Sequence, residues 1–496
     1  MPLYGTHTRK TFKQKKEDSM NVLLFAAAVD TATKIVNAGN SIVWNKVLIF
    51  LLPVVGLFFT IYLGFPQFRR FGAAFKQTFG GLFDKEENAR RKAAGEISSF
   101  QALAVAIAAQ IGTGNVAGVA TAILSGGPGA IFWMWIAALF GMSTIFAEAV
   151  LAQKYRTLDE NGDTVGGPAY YISEGLKNKA LGKGLAGFFS VAIILALGFI
   201  GNMVQSNSMA SAIHEAFGFS TLAIGIVIAA VAALVFIGGI KRIANFAEMV
   251  VPVMALVYVV LAIIVLVKFR TNIGHAFGLI FKGAFDPQAV LGAGVGITVK
   301  LAVRFGVARG LFSNEAGMGS TPHAHATAKV NHPVEQGLTA MLGVFIDTGI
   351  VCTATALVII LTGAFETGLA GPLMTQEAFH IAFGKFGKAV LAICLTAFAF
   401  TTVIGWYYFG ETNIKYLFGK KGLMPYRIIV IICIVLGSMF EIEFVWLLSD
   451  FFNGLMVFPN LVGLLFLHKH VRELENDYDR LKQLGKISYV YEWEHK

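Results

Sequence analysis

Ala108-Ala109-Gln110-Ile111-Gly112-Thr113-Gly114-Asn115-Val116-Ala117-Gly118 interrupts an otherwise apolar stretch, residues 101–124. That stretch is long enough to cross a bilayer, because about 20 apolar residues in a helix span about 30 Å of hydrocarbon. Small residues let membrane helices pack closely, and Gly118 with Ala122 fits that use. Gly112 and Gly114 do not, since residues two apart share no helix face. They also bracket Thr113 and Asn115, whose side chains bond nearby backbone groups. The pattern predicts a membrane helix broken at Gly112–Asn115.

A break of this kind has defined chemistry. Freed N–H groups of the outgoing half-helix face the gap with the positive dipole end behind them, and a carboxylate is their natural partner. Carbonyls ending the incoming half-helix, around Ala108 to Ile111, face the same gap and suit a hard cation such as Na⁺.

The rest of the chain agrees with a membrane setting. Of 496 residues, 56% are hydrophobic, 43 are phenylalanine and only 14% are charged; the mean hydropathy is +0.66. A soluble core does not use that much apolar surface. Spans are expected at 46–64, 101–124, 130–152, 185–213, 220–239, 246–267, 288–312, 336–363, 388–409, 425–441 and 444–467, about eleven in all. These are continuous apolar runs, whereas the strands of a membrane barrel alternate over about ten residues. The fold class is therefore an all-α integral membrane protein.

The net charge of +10 does not point to nucleic acid, because it alternates from loop to loop. The loop after the first span carries Arg69, Arg70, Lys76, Lys85, Arg90, Arg91 and Lys92, and Ser125 to Gly129 carries none. Such an excess marks the cytoplasmic side. It puts the N-terminus outside and the C-terminal tail inside, against which Lys268, Arg270 and Lys282 fall on the outer side. The first twenty residues have no apolar centre and are expected to be an extension or tag remnant rather than a signal peptide. Cys352, Cys394 and Cys433 lie in spans without metal-ligand spacing and are expected to pack as small apolar residues.

Phe68, Phe71, Phe75 and Phe79 recur at three and four residues with basic residues between them, as in an amphipathic helix in the headgroup layer. Tyr170, Tyr171, Ile172 and Leu176 suggest a second. The seventh span holds Gly292, Gly294 and Gly296, an expected counterpart of the Gly112 break. Spans two to six and seven to eleven, odd in number, would enter the membrane in opposite directions, and paired broken segments point to a secondary-transporter site. The expected organisation is an N-terminal extension (1–45), an extra helix with a basic amphipathic segment (46–97), a first repeat (98–270), an inverted second repeat (271–468) and a cytoplasmic tail (469–496).

Ionisable residues in the spans include Glu148, Lys300, Arg304, Asp347 and Asp450, and none is expected to neighbour the Gly112 break. Gln110 stands beside it instead, which favours a zwitterion or an anion over a cation. Gln205 either faces substrate or bonds a neighbouring helix. Thr401 and Thr402 offer hydroxyls to Na⁺ or bond their own helix. His323 and His325 match no zinc spacing and suit a loop or interface. No ring of charge suggests a channel, and no nucleophile and base suggest a membrane enzyme.

Ile111 to Ala122 with Gly126 to Trp135, Gly201 to Gln205, Arg309 to Ser320 and Gly343 to Thr348 closely resemble the alanine or glycine:cation symporter family, related in fold to the amino acid-polyamine-organocation superfamily. The resemblance covers about residues 40 to 470. It implies a LeuT-type five-plus-five inverted repeat preceded by one extra helix, in a bacterial inner membrane. It also implies uptake of a small neutral amino acid, alanine or glycine, with Na⁺ as coupling ion and no cofactor; membrane lipids, not nucleic acid, are the other partners. Glutamine preference or H⁺ coupling are the alternatives. The implied substrate residues are Gly112, Thr113, Gly114, Asn115, Gln205, Thr402 and Trp406, with Gln110 beside them at a position that varies in the family. The implied Na⁺ ligands are carbonyls of Ala108 and Ile111 with Thr401 and Thr402.

Overall fold

A computed structural model describes residues 31–80, 90, 94, 96–160, 162–286, 297–440 and 442–490. In chain order its helices are α1 (Thr31–Tyr62), α2 (Phe71–Phe79), α3 (Ser99–Gln110), α4 (Gly114–Gly126), α5 (Ala130–Lys154), α6 (Pro168–Gly175), α7 (Lys179–Phe217) and α8 (Thr221–Phe236). There follow α9 (Gly239–Lys268), α10 (Ile273–Phe285), α11 (Val299–Asn314), α12 (Pro322–Ala326), α13 (Pro333–Thr362), α14 (Pro372–Phe383), α15 (Lys385–Phe418), α16 (Leu423–Gly437) and α17 (Ile442–Gln483). A two-stranded hairpin, β1 (Thr157–Leu158) with β2 (Thr164–Val165), follows α5.

Among the described residues, seven helical stretches are long and apolar enough to cross a membrane, or eight if the bent pair α3–α4 counts as one span. One of the seven, Lys385–Gly437, contains both α15 and α16. Gly419, at φ 62°, reverses the chain between them, and the Tyr426 hydroxyl donates back to the Tyr407 carbonyl at 3.0 Å. Among the shorter described helices, α8 is apolar over 16 residues.

Helix starts follow local chemistry. Ser98 caps α3 in a reciprocal box, its hydroxyl accepting from Gln101 N–H while Gln101 Oε1 accepts from Ser98 N–H, each at 3.0 Å. Thr298 caps α11 and Asn178 caps α7. The expected amphipathic helix is α2, preceded by the turn Pro66–Arg69. The second lies in α6, yet Tyr171 and Ile172 are fully buried against the bundle rather than turned to lipid headgroups. Lys300 is exposed near the start of α11, in keeping with a snorkelling lysine.

The two helix breaks are the features that position the site. The first falls where the sequence puts it, bending α3 against α4 by 48°. Gly292 to Gly296 lie outside the described residues. Within them the seventh span breaks at its other end, between α11 and α12, where Glu315 (φ 58°), Gly317 (φ 89°) and Gly319 (φ 79°) are left-handed.

Candidate functional site

Ile111 ends α3 with φ −80° and ψ 87°, and the chain resumes helical torsions at Thr113. The gap between is too tight for any side chain at Gly112. A Cβ there would lie 2.3 Å from Thr402 Oγ1 and 3.1 Å from Gln205 Oε1. Gly114 serves a different purpose: it lets α4 approach α11, and its Cβ would stand 3.0 Å from the Ser313 Cα.

The backbone groups freed by the break have polar partners. Gly112 N–H donates to Asn115 Oδ1 at 3.0 Å, and Thr113 N–H donates to Gln205 Oε1 at 3.2 Å. On the carbonyl side, Thr402 Oγ1 donates to Ala108 O at 2.8 Å, with Phe398 O of its own helix at 3.1 Å and Ile111 O at 3.4 Å also in reach. Thus Ala108, Ile111, Gly112, Thr113, Asn115, Gln205 and Thr402 converge at one fully or nearly fully buried place. Thr401 does not join them. Its hydroxyl donates to Phe398 O at 2.8 Å within its own helix and lies 3.7 Å from Met254 Sδ.

Three buried polar atoms at the break make no hydrogen bond within the protein: Thr113 Oγ1, Gln205 Nε2 and Gln110 Oε1. Each is shut off from bulk solvent, and an orphaned buried polar atom is costly enough to need an explanation. Gln110 uses its other end to join the two breaks, donating from Nε2 to the Asn314 carbonyl at 2.6 Å.

The expectation that no ionisable residue neighbours the break is corrected by Asp347 on α13. Asn115 Nδ2 donates to Asp347 Oδ1 at 2.7 Å. Ser313 Oγ stands 3.0 Å from both Asp347 oxygens and Thr348 Oγ1 donates to Oδ2 at 2.7 Å. Cys352 belongs to the same cluster, 3.3 Å from Asn115 Nδ2 and 3.2 Å from Ser313 Oγ, rather than being only a packing residue.

The second break carries two further buried carboxylates. Glu148 on α5 accepts from the N–H groups of Gly317 (3.1 Å) and Gly319 (2.9 Å) and from Asn460 Nδ2 (2.5 Å), so its carboxyl group occupies the amide end of the break. Glu315 accepts from Trp406 Nε1–H and from Ser320 Oγ–H. No ion pair to Glu148, Glu315 or Asp347 occurs among the described residues. Asp450 differs, pairing in bidentate fashion with Arg309 at 2.7 Å.

Trp406 stands one helical turn beyond Thr402 on α15. Its six-membered ring lies where a Cβ on Gly201 would come within 2.6 Å, and Phe312 meets it edge-on at 5.6 Å. His323 and His325 are buried and bonded to Ser320 O and Gln336 Nε2 respectively, as an interface role requires. No group of three or more His, Cys, Asp or Glu suited to a metal occurs among the described residues.

Such a site, two broken helices facing each other across buried polar groups, can hold a small zwitterion and a hard cation. Among solved structures, a manganese transporter of Eremococcus coleocola, determined with an aromatic bis-isothiourea compound, aligns with a TM-score of 0.47 and 15% identity over 80% of this chain and 81% of that one. Sequence relatives are far nearer. The sodium/alanine symporter AgcS of Methanococcus maripaludis is 45% identical over 440 residues, 87% of this chain and 94% of that protein. The probable sodium/glutamine symporter GlnT of Bacillus subtilis is 42% identical over 459 residues, 92% of this chain and 93% of that protein. The pattern of the Sodium:alanine symporter family matches residues 29–492. The chain belongs to the sodium:alanine symporter family, and it is a multi-pass membrane transporter rather than an enzyme.

Proposed function

We propose that this chain takes up alanine or glycine together with Na⁺ by alternating access, through eleven membrane helices arranged as one extra helix and two inverted repeats of five. The N-terminus is outside and the C-terminus cytoplasmic, in a bacterial inner membrane. The observation that carries the reading is the polarity of the first break. Its carbonyl side, Ala108 and Ile111, already takes a hydroxyl hydrogen from Thr402, and its amide side, Gly112 and Thr113, already takes two side-chain oxygens.

In this mechanism Na⁺ sits between the carbonyls of Ala108 and Ile111 with the Thr402 oxygen as a third ligand, and the Thr402 hydroxyl keeps its hydrogen and turns it to Phe398 O, 3.1 Å away. The substrate carboxylate takes the amides of Gly112 and Thr113, displacing the oxygens of Asn115 and Gln205. Gln205 Oε1, released from Thr113, becomes an acceptor for the substrate ammonium. Trp406 closes the side-chain end and favours a small substrate. Ion and substrate together stabilise a closed state that neither stabilises alone, which is the condition for coupling.

Purified protein in vesicles tests this. Replacing external Na⁺ with choline abolishes accumulation of labelled alanine; uptake that continues unchanged overturns the Na⁺ assignment. Asp347 favours a second reading, in which a proton on its carboxylate is the coupled ion. A pH gradient that drives uptake without Na⁺ supports that reading. Relatives named for both alanine and glutamine make a competition panel of neutral amino acids the measurement of substrate.

A further inference from the structure

Glu315 stands where the backbone least favours a side chain. At φ 58° it ends α11 in the left-handed region, which glycine occupies without steric cost and other residues seldom enter. Gly317 and Gly319, the other left-handed positions of the same loop, are glycines. A non-glycine residue held there points to a use for its side chain.

That side chain is fully buried and both its oxygens are engaged. Oε2 accepts from Ser320 Oγ–H at 2.6 Å, which fixes the carboxyl group, and Oε1 accepts from the indole N–H of Trp406. Packing holds the Trp406 ring against Gly201 and Phe312, and both contacts are apolar. The bond to Glu315 is thus the polar contact that fixes the rotation of the indole plane. Trp406 sits on the helix that also carries Thr402, one turn away.

We propose that Glu315 is a positioning residue for substrate size: it locks the Trp406 indole as a wall and ties that wall to the second helix break. This rests on the placement of Trp406 at the side-chain end of the substrate in the function proposed above. It adds that the wall is set by a residue 91 positions away on a different broken helix. A movement of the loop between α11 and α12 carries the wall with it, so the size limit and the opening of the second break are one event.

Two substitutions separate the carboxyl group from the backbone. Glu315→Gln keeps an acceptor oxygen for the indole. Glu315→Gly removes it while relaxing the left-handed torsion, so lost function does not come from a strained backbone. In Glu315→Gly the ratio of alanine uptake to uptake of a larger neutral amino acid such as glutamine falls by about tenfold or more, the scale on which an apolar pocket discriminates. In Glu315→Gln it stays within about threefold of wild type. In a Trp406→Phe background, which has no N–H to donate, Glu315→Gly adds nothing further; independent effects that multiply overturn the proposal.

A second readout does not depend on transport. The ¹H–¹⁵N indole signal of Trp406, identified by its loss in Trp406→Phe, moves in Glu315→Gly and moves less in Glu315→Gln. Ser320→Ala, which leaves Glu315 in place and removes the donor to Oε2, shifts it in the same direction by less than Glu315→Gly. An unmoved indole signal, or an unchanged uptake ratio with a moved signal, overturns the positioning role. If wild type shows no Na⁺-dependent alanine uptake, the proposed function falls instead, and the indole shift with the selectivity ratio for whatever substrate is carried still decides the role of Glu315.

Discussion

At the scale of single residues, the two kinds of glycine in the broken helix make opposite predictions. A Cβ on Gly112 would overlap Thr402 Oγ1 at 2.3 Å, whereas a Cβ on Gly118 meets nothing closer than 3.9 Å. Overpacking a tight site costs about 1–3 kcal/mol, so Gly112→Ala is expected to lower alanine uptake by about tenfold or more. Gly118→Ala, with φ −66° in a helical segment, keeps uptake and raises the melting temperature in detergent slightly. Equal effects at both positions would deny the break its role. The break was legible because Gly-x-Gly at a spacing of two suits no packing face. Asp347 was not, since its contact with Asn115 joins residues 232 positions apart and nothing in the spacing of either reports it. Thr401 and Thr402 were indistinguishable in sequence, and only the rotation of α15 decides that Thr402 meets the break.

At the scale of elements, apolar runs located the helices, while their ends and bends depended on tertiary contacts. The expected break at Gly292 to Gly296 rested on glycine count, but the described interruption at Glu315 to Thr321 is held open by Glu148 accepting from two of its amides. That carboxylate comes from α5, so no local pattern announces it. The amphipathic helix α2 was read from its phenylalanines, and besides the packing of buried Ala74 and of Phe71 edge-on against Phe345, an ion-pair cluster at its base ties it down. Arg70 donates to Glu475 at 2.9 Å and to Asp479 at 2.7 Å, and Glu475 also pairs with Arg69 and Arg472. Glu475 and Arg70 are nearly fully buried while their outer partners are partly exposed, so the inner pair dominates. Glu475→Gln keeps the shape and removes the charge that three guanidinium groups share. Hydrogen exchange of the α2 amides, Phe71–Phe79, is expected to quicken by about tenfold, equivalent to about 1.4 kcal/mol of lost docking. Unchanged exchange would mean that apolar contacts alone hold α2 in place.

At the scale of the whole molecule, hydropathy identified a helical membrane protein and charge alternation suggested its orientation, but neither specifies the pairing of helices across the bundle. That pairing brings α3, α4, α7, α11, α13 and α15 to one buried point, and it follows from contacts that no single segment encodes. The energetic consequence of the proposed symport is also global. One Na⁺ carried with one zwitterion moves one positive charge through the membrane. Through about 100 mV this supplies about 2.3 kcal/mol, which supports about fiftyfold accumulation before the Na⁺ gradient itself contributes. An inside-negative potential imposed on vesicles by a potassium gradient with valinomycin, at equal Na⁺ on both sides, is therefore expected to drive alanine inward. Reversing the potential drives it out. Accumulation indifferent to the potential contradicts a one-to-one symport, because with Na⁺ balanced the only remaining force is the charge that moves, and the buried carboxylates at the two breaks stay with the protein.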